Sequence, residues 1–532
     1  MPRLPQFYAN SLRVPEITKP ALQELLSDLQ AAVINGVRIL ESNHPAGRDD
    51  GPGIFTGDAG IAVAYLRLAH QRVSLDSFVN GDSLPSFYEL ARARIPEDFA
   101  TRILVAGRLS PLSSTSPLSA VTVHILYHLS TGSAPNIRDG DLVLLRDGIE
   151  MALSHGAMGI YHGHELGADE VLFGRAGLLW TIINLQKWES SFDERQRNLL
   201  GGALEDEMVE KLVEAMVRAG REGGEDYRSI IEDHGEKNEW EGDAKPLMWV
   251  WMKGHYGLGW AHGLTGILSV LLSVPTSILS PHLPSIGATI SFLCEICINE
   301  DGHLPTCIPP RHTSSSRTSP LVQICHGAPA FLALMACALQ VPELVRDYWT
   351  PEWDTALRLA TEQVWEEGLL SKGGGLCHGI AGNAWPFLMI YVAFEENAAV
   401  LNTARGNDSH HMPLRDESEG SVGDPLTPDF FLARALAMLL HARETQPYNQ
   451  IPETAPDDYR MPDHPYSLFE GLAGTVCAWS EACVVLRGRL REMELREEGD
   501  DVSVREDSVV KECKKQQLGF PFLGGNGVTG VL

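Results

Sequence analysis

The stretch Gly375-Leu376-Cys377-His378-Gly379-Ile380-Ala381-Gly382 combines a Gly-x-x-Gly core with a Cys-His pair directly before it. The core returns along the chain, which indicates an internal repeat. Further copies with both glycines occupy residues 57–60, 174–177, 263–266 and 471–474. Two weaker copies follow Ala106 and begin at Gly327, so that the chain contains about seven repeats.

The segments around the cores have helical patterns of two kinds. Each core is followed by an apolar stretch of helix length, such as residues 61–66 and 267–272, which predicts helices buried on all sides. Amphipathic stretches between the cores, such as residues 21–40 and 354–365, predict outer helices with one face in water. Strand patterns are scarce. The sequence therefore predicts an all-α fold, an α/α toroid (barrel) of about seven helical hairpins with inner and outer helix layers.

In such a ring the inner helices begin at one rim, so the residue before each first glycine would lie near the central mouth. Across the seven copies this position holds Thr56, Ala106, Phe173, His262, His326, His378 and Glu470. Cys325 and Cys377 come one residue earlier in two of the copies. Thiolate and imidazole groups are ligands of Zn²⁺, and cysteines separated by a whole repeat do not fit a zinc finger. We therefore expect tertiary folding to assemble a zinc site, whereas His326 and Glu470 have either a supporting role or simple packing and capping roles.

Composition narrows the class of protein. The formal net charge of −28 over 532 residues, without a basic stripe, argues against nucleic acid as a partner. No transmembrane segment or secretory pattern is expected, although peripheral membrane association stays open. Nine cysteines, an odd number, favour a reducing compartment, and we expect a cytoplasmic protein.

The predicted domain plan has two parts. Residues 1–485 form the toroid, with acidic surface inserts near residues 222–248 and 403–426. Residues 486–532 are rich in charge at their start and are predicted to form a C-terminal tail that is partly disordered.

At its repeats the sequence resembles the LanC-like (lanthionine synthetase C-like) family. The matching stretches are residues 256–267, 321–329, 375–382 and 465–474, with weaker matches at 55–64 and 169–179. The resemblance implies a seven-hairpin α/α toroid that binds one Zn²⁺ per chain and also binds glutathione. The family's zinc ligands fall on Cys325, Cys377 and His378, and its catalytic histidine falls on His262.

The resemblance also implies other site residues. The basic contacts to glutathione fall on Lys372 and Arg460, and an acidic catalytic residue falls near Asp169, with Glu170 beside it. The arginine that precedes the first zinc cysteine in the bacterial cyclases has no counterpart among residues 321–324, which argues against peptide cyclisation.

Three protein ligands leave one zinc position open, as in catalytic sites. We therefore expect an enzyme that forms thioethers by adding the glutathione thiol to dehydroalanine or dehydrobutyrine residues in proteins, with glutathione as co-substrate. The alternative is a non-catalytic glutathione- and zinc-binding protein that acts in signalling or as an adaptor. A third hypothesis, a glycoside hydrolase or terpene cyclase, would need paired carboxylates or aspartate-rich magnesium motifs that the repeat starts do not supply.

Overall fold

The structure is a computed structural model of the chain. It describes residues 5–47, 53–76, 84–95, 103–233, 244–310, 319–407, 426–449, 459–499, 504, 506–525 and 527–532.

Helices make up most of the described chain. The α-helices are α1 (Lys19–Asn43), α2 (Asp58–His70), α3 (Arg72–Leu75), α4 (Phe87–Ala93), α5 (Leu118–Ser130), α6 (Asp139–Ser154), α7 (Arg175–Gln186), α8 (Glu194–Leu200), α9 (Asp206–Asp233), α10 (Leu264–Leu271), α11 (Thr276–Leu279), α12 (Leu283–Asn299), α13 (Ala328–Leu339), α14 (Pro342–Tyr348), α15 (Pro351–Glu367), α16 (Ile380–Asn407), α17 (Pro428–His441), α18 (Leu472–Glu497) and α19 (Ser508–Gln516). Short 3₁₀ turns lie at Ala134–Asn136, Glu189–Ser191, Ser280–His282 and Ala442–Glu444. The prediction of an all-α fold is confirmed.

The described strands are short and form two small antiparallel sheets. They are β1 (Phe7–Tyr8), β2 (Met158–Tyr161), β3 (His164–Gly167), β4 (Val250–Met252), β5 (His255–Gly257), β6 (Cys307–Ile308) and β7 (Leu369–Leu370). Strand β1 pairs with β7, and the other five pair in chain order. Strand β5 of the larger sheet ends at Gly257, and α10 begins at Leu264. This short connection places the sheet beside the start of α10.

The register predicted from Gly107 for the second repeat is wrong, because α5 begins only at Leu118, whereas each of the other six helices begins directly after a first glycine. Seven buried helices nevertheless follow the seven repeats, as the apolar stretches predict. They are α2, α5, α7, α10, α13, α16 and α18. Helices with a wetter face pack outside them: α1 against α18, α4 against α2, α6 against α5, α9 against α7, α15 against α13 and α17 against α16. The hydrophobic core therefore runs along the buried helices, and the amphipathic helices cover it.

The second glycine of the core is required by close backbone approach. A Cβ atom there would come within 1.7 to 2.2 Å of the carbonyl oxygen six residues earlier, which no side chain can tolerate. This holds for Gly60, Gly177, Gly266, Gly382 and Gly474. Of the first glycines, Gly107 and Gly327 have a positive φ, 75° and 133°. The Gly-x-x-Gly pattern therefore arises because each helix folds back tightly on its own entry loop.

Backbone hydrogen bonds join the entry loops of neighbouring repeats. The N–H donors and carbonyl acceptors are Ser110 to Phe173 (3.0 Å), Leu172 to Ala261 (3.1 Å), Trp260 to Ile324 (3.3 Å), Cys325 to Cys377 (3.1 Å), Cys377 to Phe469 (2.6 Å) and Phe469 to Phe55 (3.2 Å). The last bond returns from the seventh repeat to the first. These bonds hold the helix starts together at one end of the bundle, and we call them the loop belt.

Residues beyond the predicted boundary at 486 are part of the core. Helix α18 continues across that boundary, and Phe520 lies fully buried against Trp260 and Trp385. The Asn184 side-chain oxygen accepts hydrogen bonds from the backbone N–H groups of Gly530 and Leu532. The sequence pattern missed this packing because the apolar residues follow a charged run and have no helical period.

Helices α9 and α16 extend into the two ranges that were predicted to be surface inserts. Residues 222–233 form the end of α9, where Tyr227 and Ile231 are buried, and Leu247 and Met248 are buried after it. Helix α16 extends to Asn407, and residues 234–243 and 408–425 of the two inserts lie outside the described residues.

One described helical segment, Thr276–Asn299, is long and apolar enough to span a membrane. Half of it is buried inside the protein, as is common for a core helix.

Candidate metal and thiol site

The loop belt brings Cys325, Cys377 and His378 together at the starts of α13 and α16. The Cys325 N–H donates to the Cys377 carbonyl, which ties the two cysteine-bearing loops to each other. One ligand atom from each of the three side chains lies within 4.8 Å of the others. Both thiols are buried and the imidazole is half-buried. Two sulfurs and a nitrogen at this spacing are a donor set suited to Zn²⁺.

The two thiols of this group differ in their tendency to ionise. Burial opposes the ionisation of both, but hydrogen bonding from Cys377 and the imidazoles of His378 and His326 hold the pKa of Cys325 well below its usual range. The hydrogen bond to Cys325 and burial raise the pKa of Cys377. The Gln323 side-chain amide also donates to Cys325 Sγ, at 3.0 Å. Cys325 is therefore the more readily ionised of the two thiols, and a divalent cation would favour the thiolate form of both.

The Glu470 carboxylate lies near the His378 imidazole. His378, Asp463 and Glu470 form a second group whose ligand atoms lie within 4.8 Å of one another. Glu470 Oε2 is buried and accepts no hydrogen bond from the described residues. A histidine that binds a metal through one ring nitrogen commonly donates from the other to a carboxylate. Glu470 is placed for this role, so the residues present fit a zinc ion.

His262 lies next to this group and is held by a carboxylate. Its Nδ1 contacts Glu170 Oε2, and its ring stacks on Trp251, with the centroids 5.1 Å apart, and on Phe173. The ring of His326 lies 5.7 Å from that of His262. Burial lowers the pKa of His262, but the Glu170 carboxylate outweighs burial and leaves this pKa above its usual value. The geometry gives an oriented imidazole whose other nitrogen, Nε2, is available for proton transfer.

The acidic residue that faces His262 is Glu170, and the predicted Asp169 faces away. Asp169 is buried in a two-point ion pair with Arg175, at 2.6 and 3.0 Å. Glu170 also lies 3.5 Å from Arg108 Nη1, and the Arg108 guanidinium rests over the Phe173 ring. The chain bends at these two residues, and the two carboxylates enter different surroundings. Asp169 thus has a structural contact, and Glu170 has the contact to the imidazole.

Lys372 and Arg460, the predicted basic contacts, lie side by side. The Arg460 N–H donates to the carbonyl of Ser371, the residue before Lys372. The Arg460 side chain is half-exposed and lies 3.4 Å from Asp463 Oδ2. The positive charge of Lys372 acts on Cys377 by lowering its pKa, which indicates its proximity to the thiol group. Both cations therefore lie on the Cys377 side of the site.

Two neighbours of His262 were not predicted. Trp251 comes from β4, outside every repeat core, and no pattern in its own sequence marks it. Arg108 follows the degenerate second repeat, where only the first glycine remains. No usable signal marked Arg108 in the sequence, because the register predicted for this repeat is wrong: α5 begins only at Leu118 and not directly after Gly107.

The fold and site together define an all-α repeat protein with a Cys₂His ligand group beside a His–Glu pair. A family model described as "Lanthionine synthetase C-like protein" matches residues 144–421. Glutathione S-transferase LANCL1 of Danio rerio is 26% identical over 467 residues, 86% of this chain and 86% of that protein. LanC-like protein GCL1 of Arabidopsis thaliana is 27% identical over 315 residues, 58% of this chain and 54% of that protein. The chain belongs to the lanthionine synthetase C-like family.

Proposed function

We propose that the protein is a zinc-dependent enzyme that adds the thiol of glutathione to dehydroalanine or dehydrobutyrine residues of proteins and so forms a thioether. The observation that carries the proposal is the close approach of two functional groups, the Cys325, Cys377 and His378 donor set and the Glu170–His262 pair. The name of the Danio rerio relative, a glutathione S-transferase, supports glutathione as the thiol.

We further propose that the seven hairpins close into an α/α toroid. Support comes from the loop belt, whose bonds run in repeat order and return from Phe469 to Phe55. The buried helices contact one another in order from α7 through α10, α13 and α16 to α18, α18 packs against α2, and α2 packs against α5. Between α5 and α7 the link is the hydrogen bond from Ser110 to Phe173 in the loop belt. The entry loops of α2 and α5 are also close, since a Cβ on Gly53 would lie 2.9 Å from Ser114 Cα. A closed ring explains why the site residues meet although they are far apart in sequence.

In the proposed reaction the metal would activate the thiol and protein side chains would transfer the proton. A zinc ion on Cys325, Cys377 and His378 would lower the pKa of a bound thiol and thereby supply the nucleophile. Addition forms the S–C bond at the β-carbon of the dehydroamino acid and moves the electron pair of the C=C bond onto the α-carbon as an enolate. The thiol proton passes to solvent. His262, as an imidazolium that Glu170 stabilises through Nδ1, delivers one proton from Nε2 to the α-carbon and is protonated again from solvent.

The cations beside the site suit the charge of glutathione, which has two carboxylates. Arg460 offers a planar fork and Lys372 a point charge, and both lie on the side of Cys377. Their positive charge in a chain with a net charge of −28 would attract an anionic tripeptide locally. We propose that these two residues hold the carboxylates of glutathione while its sulfur reaches the thiol group.

The test is the addition of glutathione to a dehydroalanine peptide by purified, zinc-loaded protein, followed by mass spectrometry. The expected product has the summed mass of peptide and glutathione, and its rate should depend on both zinc and His262. The proposal fails if the His262→Ala variant, with zinc content unchanged, forms the thioether as fast as the wild-type protein.

A non-catalytic glutathione- and zinc-binding protein, acting in signalling or as an adaptor, is the alternative. It shares the donor set and the cations with the enzyme, but it has no need for an oriented proton donor. The Glu170–His262 contact is therefore the observation that favours catalysis. Binding of glutathione in calorimetry without product from any dehydroamino acid would select the alternative. For either function we propose a cytoplasmic location, in keeping with nine free cysteines among the described residues.

A further inference from the structure

Helix α5 carries two histidines one turn apart, in the stretch His124-Ile125-Leu126-Tyr127-His128. Because residues four apart share a helix face, the two imidazoles meet, and their Nε2 atoms are 3.2 Å apart. They line a cavity of about 510 Å³ that also contacts α4 and the segment after α5. None of the residues assigned to the thiol site lines this cavity. The pair therefore needs an explanation of its own.

The hydroxyl groups behind His128 form a chain of hydrogen bonds that can place its proton on Nδ1. Thr131 Oγ1 donates to the Tyr127 carbonyl at 2.8 Å, and Ser133 Oγ lies 2.7 Å from Thr131 Oγ1, which can accept from it. The Ser133 oxygen is then left to accept a hydrogen bond from His128 Nδ1, 2.8 Å away. With its proton on Nδ1, a neutral imidazole has a lone pair on Nε2. His128 therefore presents a lone pair to His124.

His124 also has an oxygen atom facing its Nδ1, from a carboxylate. Its Nδ1 lies 2.7 Å from Asp141 Oδ2, at the start of α6. The contact is an ion-pair approach and not an aligned hydrogen bond, because His124 Nδ1 has no hydrogen-bond partner among the described residues. The negative charge of Asp141 still favours a proton over a lone pair on the nitrogen that faces it. A neutral His124 then has a lone pair on Nε2, opposite the lone pair of His128. Two lone pairs at 3.2 Å repel unless a positive charge lies between them, either a proton or a metal cation.

The distance fits a metal. Two Zn–N bonds of about 2.0–2.1 Å at a tetrahedral angle of about 109° place the nitrogens about 3.3–3.4 Å apart. Two histidines at positions i and i+4 of a helix are a recurrent pair of zinc ligands. Oxygen acceptors on the far nitrogens, here Asp141 and Ser133, are the usual supports of ligating histidines. Burial, together with His124, Arg138 and Arg92, lowers the pKa of His128 and favours the neutral form that a metal requires.

We propose that His124 and His128 form a second metal site, which binds a divalent transition-metal cation such as Zn²⁺ and leaves its other coordination positions open to the cavity. Imidazole is a preferred ligand for this class of metal. The proposal does not rest on the proposed function, because the pair lies in the later turns of α5 and the thiol site lies at the helix starts.

The charges around the pair predict how binding depends on pH. Asp141 favours a cation, whereas Arg138, which is bonded to Asp141, and Arg92 oppose it; Tyr127 is the other titratable group of the lining. The metal competes with the proton that the two histidines share. Affinity should therefore fall as the pH is lowered through the histidine range, and the arginines should favour an anion or hydroxide as a further ligand.

The experiment uses the full-length protein with its resident metal in place. Zn²⁺ is titrated by calorimetry at pH 7.5 and at pH 5.5, and bound zinc is counted by elemental analysis after gel filtration. We expect the wild-type protein to bind one equivalent more than His124→Ala/His128→Ala, with an affinity at least tenfold lower at pH 5.5. Asp141→Asn keeps both histidines and should weaken this equivalent by about 10- to 100-fold, since it removes the support of a ligand.

Two controls keep the result interpretable. The matched variant His162→Ala/His164→Ala removes two exposed histidines of the β2–β3 hairpin and should keep the extra equivalent. Addition of Cu²⁺ to the wild-type protein should give an electron paramagnetic resonance spectrum with coupling to two nitrogens, which decides the question even if the α5 variants fail to fold. Equal metal uptake by wild type and the α5 double variant, or a Cu²⁺ spectrum with fewer than two nitrogens, would overturn the proposal.

Discussion

Cys325-His326-Gly327 and Cys377-His378-Gly379 are the same three residues at equivalent positions of neighbouring repeats, but their histidines lie in different surroundings. His378 joins the two thiols and has Glu470 nearby. The ring of His326 instead lies 5.6 Å from that of Trp251 and 5.7 Å from that of His262. Backbone geometry differs as well, because Gly327 has a φ of 133°. Repeat position therefore brings a residue to the site, and the neighbouring loops decide its role.

The largest expected difference is between alanine variants of the two equivalent histidines, His378 and His326. His378→Ala should lose most of its zinc and its thiol-addition activity, because it removes a ligand. His326→Ala, which changes the same residue type one repeat earlier, should keep its zinc. Elemental analysis of both purified variants checks this. Equal zinc contents in the two variants would show that the copies do not differ in the way the structure indicates.

Removal of His262 tests the second half of the site. His262→Ala should lower the rate of thioether formation by about 10²- to 10⁴-fold, the usual contribution of an acid–base group, with the zinc content unchanged. The rate is followed by mass spectrometry with a dehydroalanine peptide. A variant that also loses zinc would mean that His262 holds the metal site together rather than transferring a proton.

The adjacent carboxylates Asp169 and Glu170 should behave differently. Glu170→Gln should shift the pH–rate limb of His262 to lower pH, because the facing carboxylate is what raises this pKa against burial. The sign is the same whether the imidazole acts as acid or base. Asp169→Asn should leave that limb in place and destabilise the fold by about 3–5 kcal/mol, since it breaks a buried ion pair with Arg175. Rate profiles and denaturant unfolding measure the two effects.

If instead Asp169→Asn moved the pH–rate limb and Glu170→Gln did not, the two carboxylates would have exchanged roles. The His262 contact to Glu170 would then have no part in proton transfer.

The smallest effect is expected at the cations. Arg460→Ala and Lys372→Ala should each raise the KM for glutathione by about tenfold while kcat changes little, because they hold carboxylates that do not react. Arg443→Ala is a matched control, since Arg443 pairs with Asp28 on the outer surface. Steady-state kinetics with varied glutathione checks this, and an unchanged KM in both site variants would place glutathione elsewhere.

Much of the architecture was visible in the residue pattern. The spacing of glycines and apolar stretches predicted seven buried helices and the covering helices, because helical burial follows a local period. The C-terminal segment was not predicted to be in the core, since Phe520 and its neighbours have no such period. The predicted inserts were also too long at α9, where burial of Tyr227 depends on its contact with Tyr256.

The site was predictable in its residue types and less so in its pairings. Cysteine and histidine at the repeat starts identified the metal donors, and the structure brings them together. Glu170 and Asp169 are neighbours with similar side chains, and which of them faces His262 depends on the direction of one loop residue. Trp251 belongs to β4, which lies outside every repeat core, so the sequence around it gave no signal that it stacks on His262.

The sequence by itself determined the helical class, six of the seven helix starts and the candidate metal donors gathered there, because these depend on residue type and on spacing along the chain. The tertiary structure alone decided which copy of Cys-His-Gly contributes its histidine, which carboxylate orients His262 and how the pair on α5 finds Asp141. The physical reason is that these contacts join loops and helices from different repeats. Their geometry is set by backbone hydrogen bonds between segments, which no local pattern records.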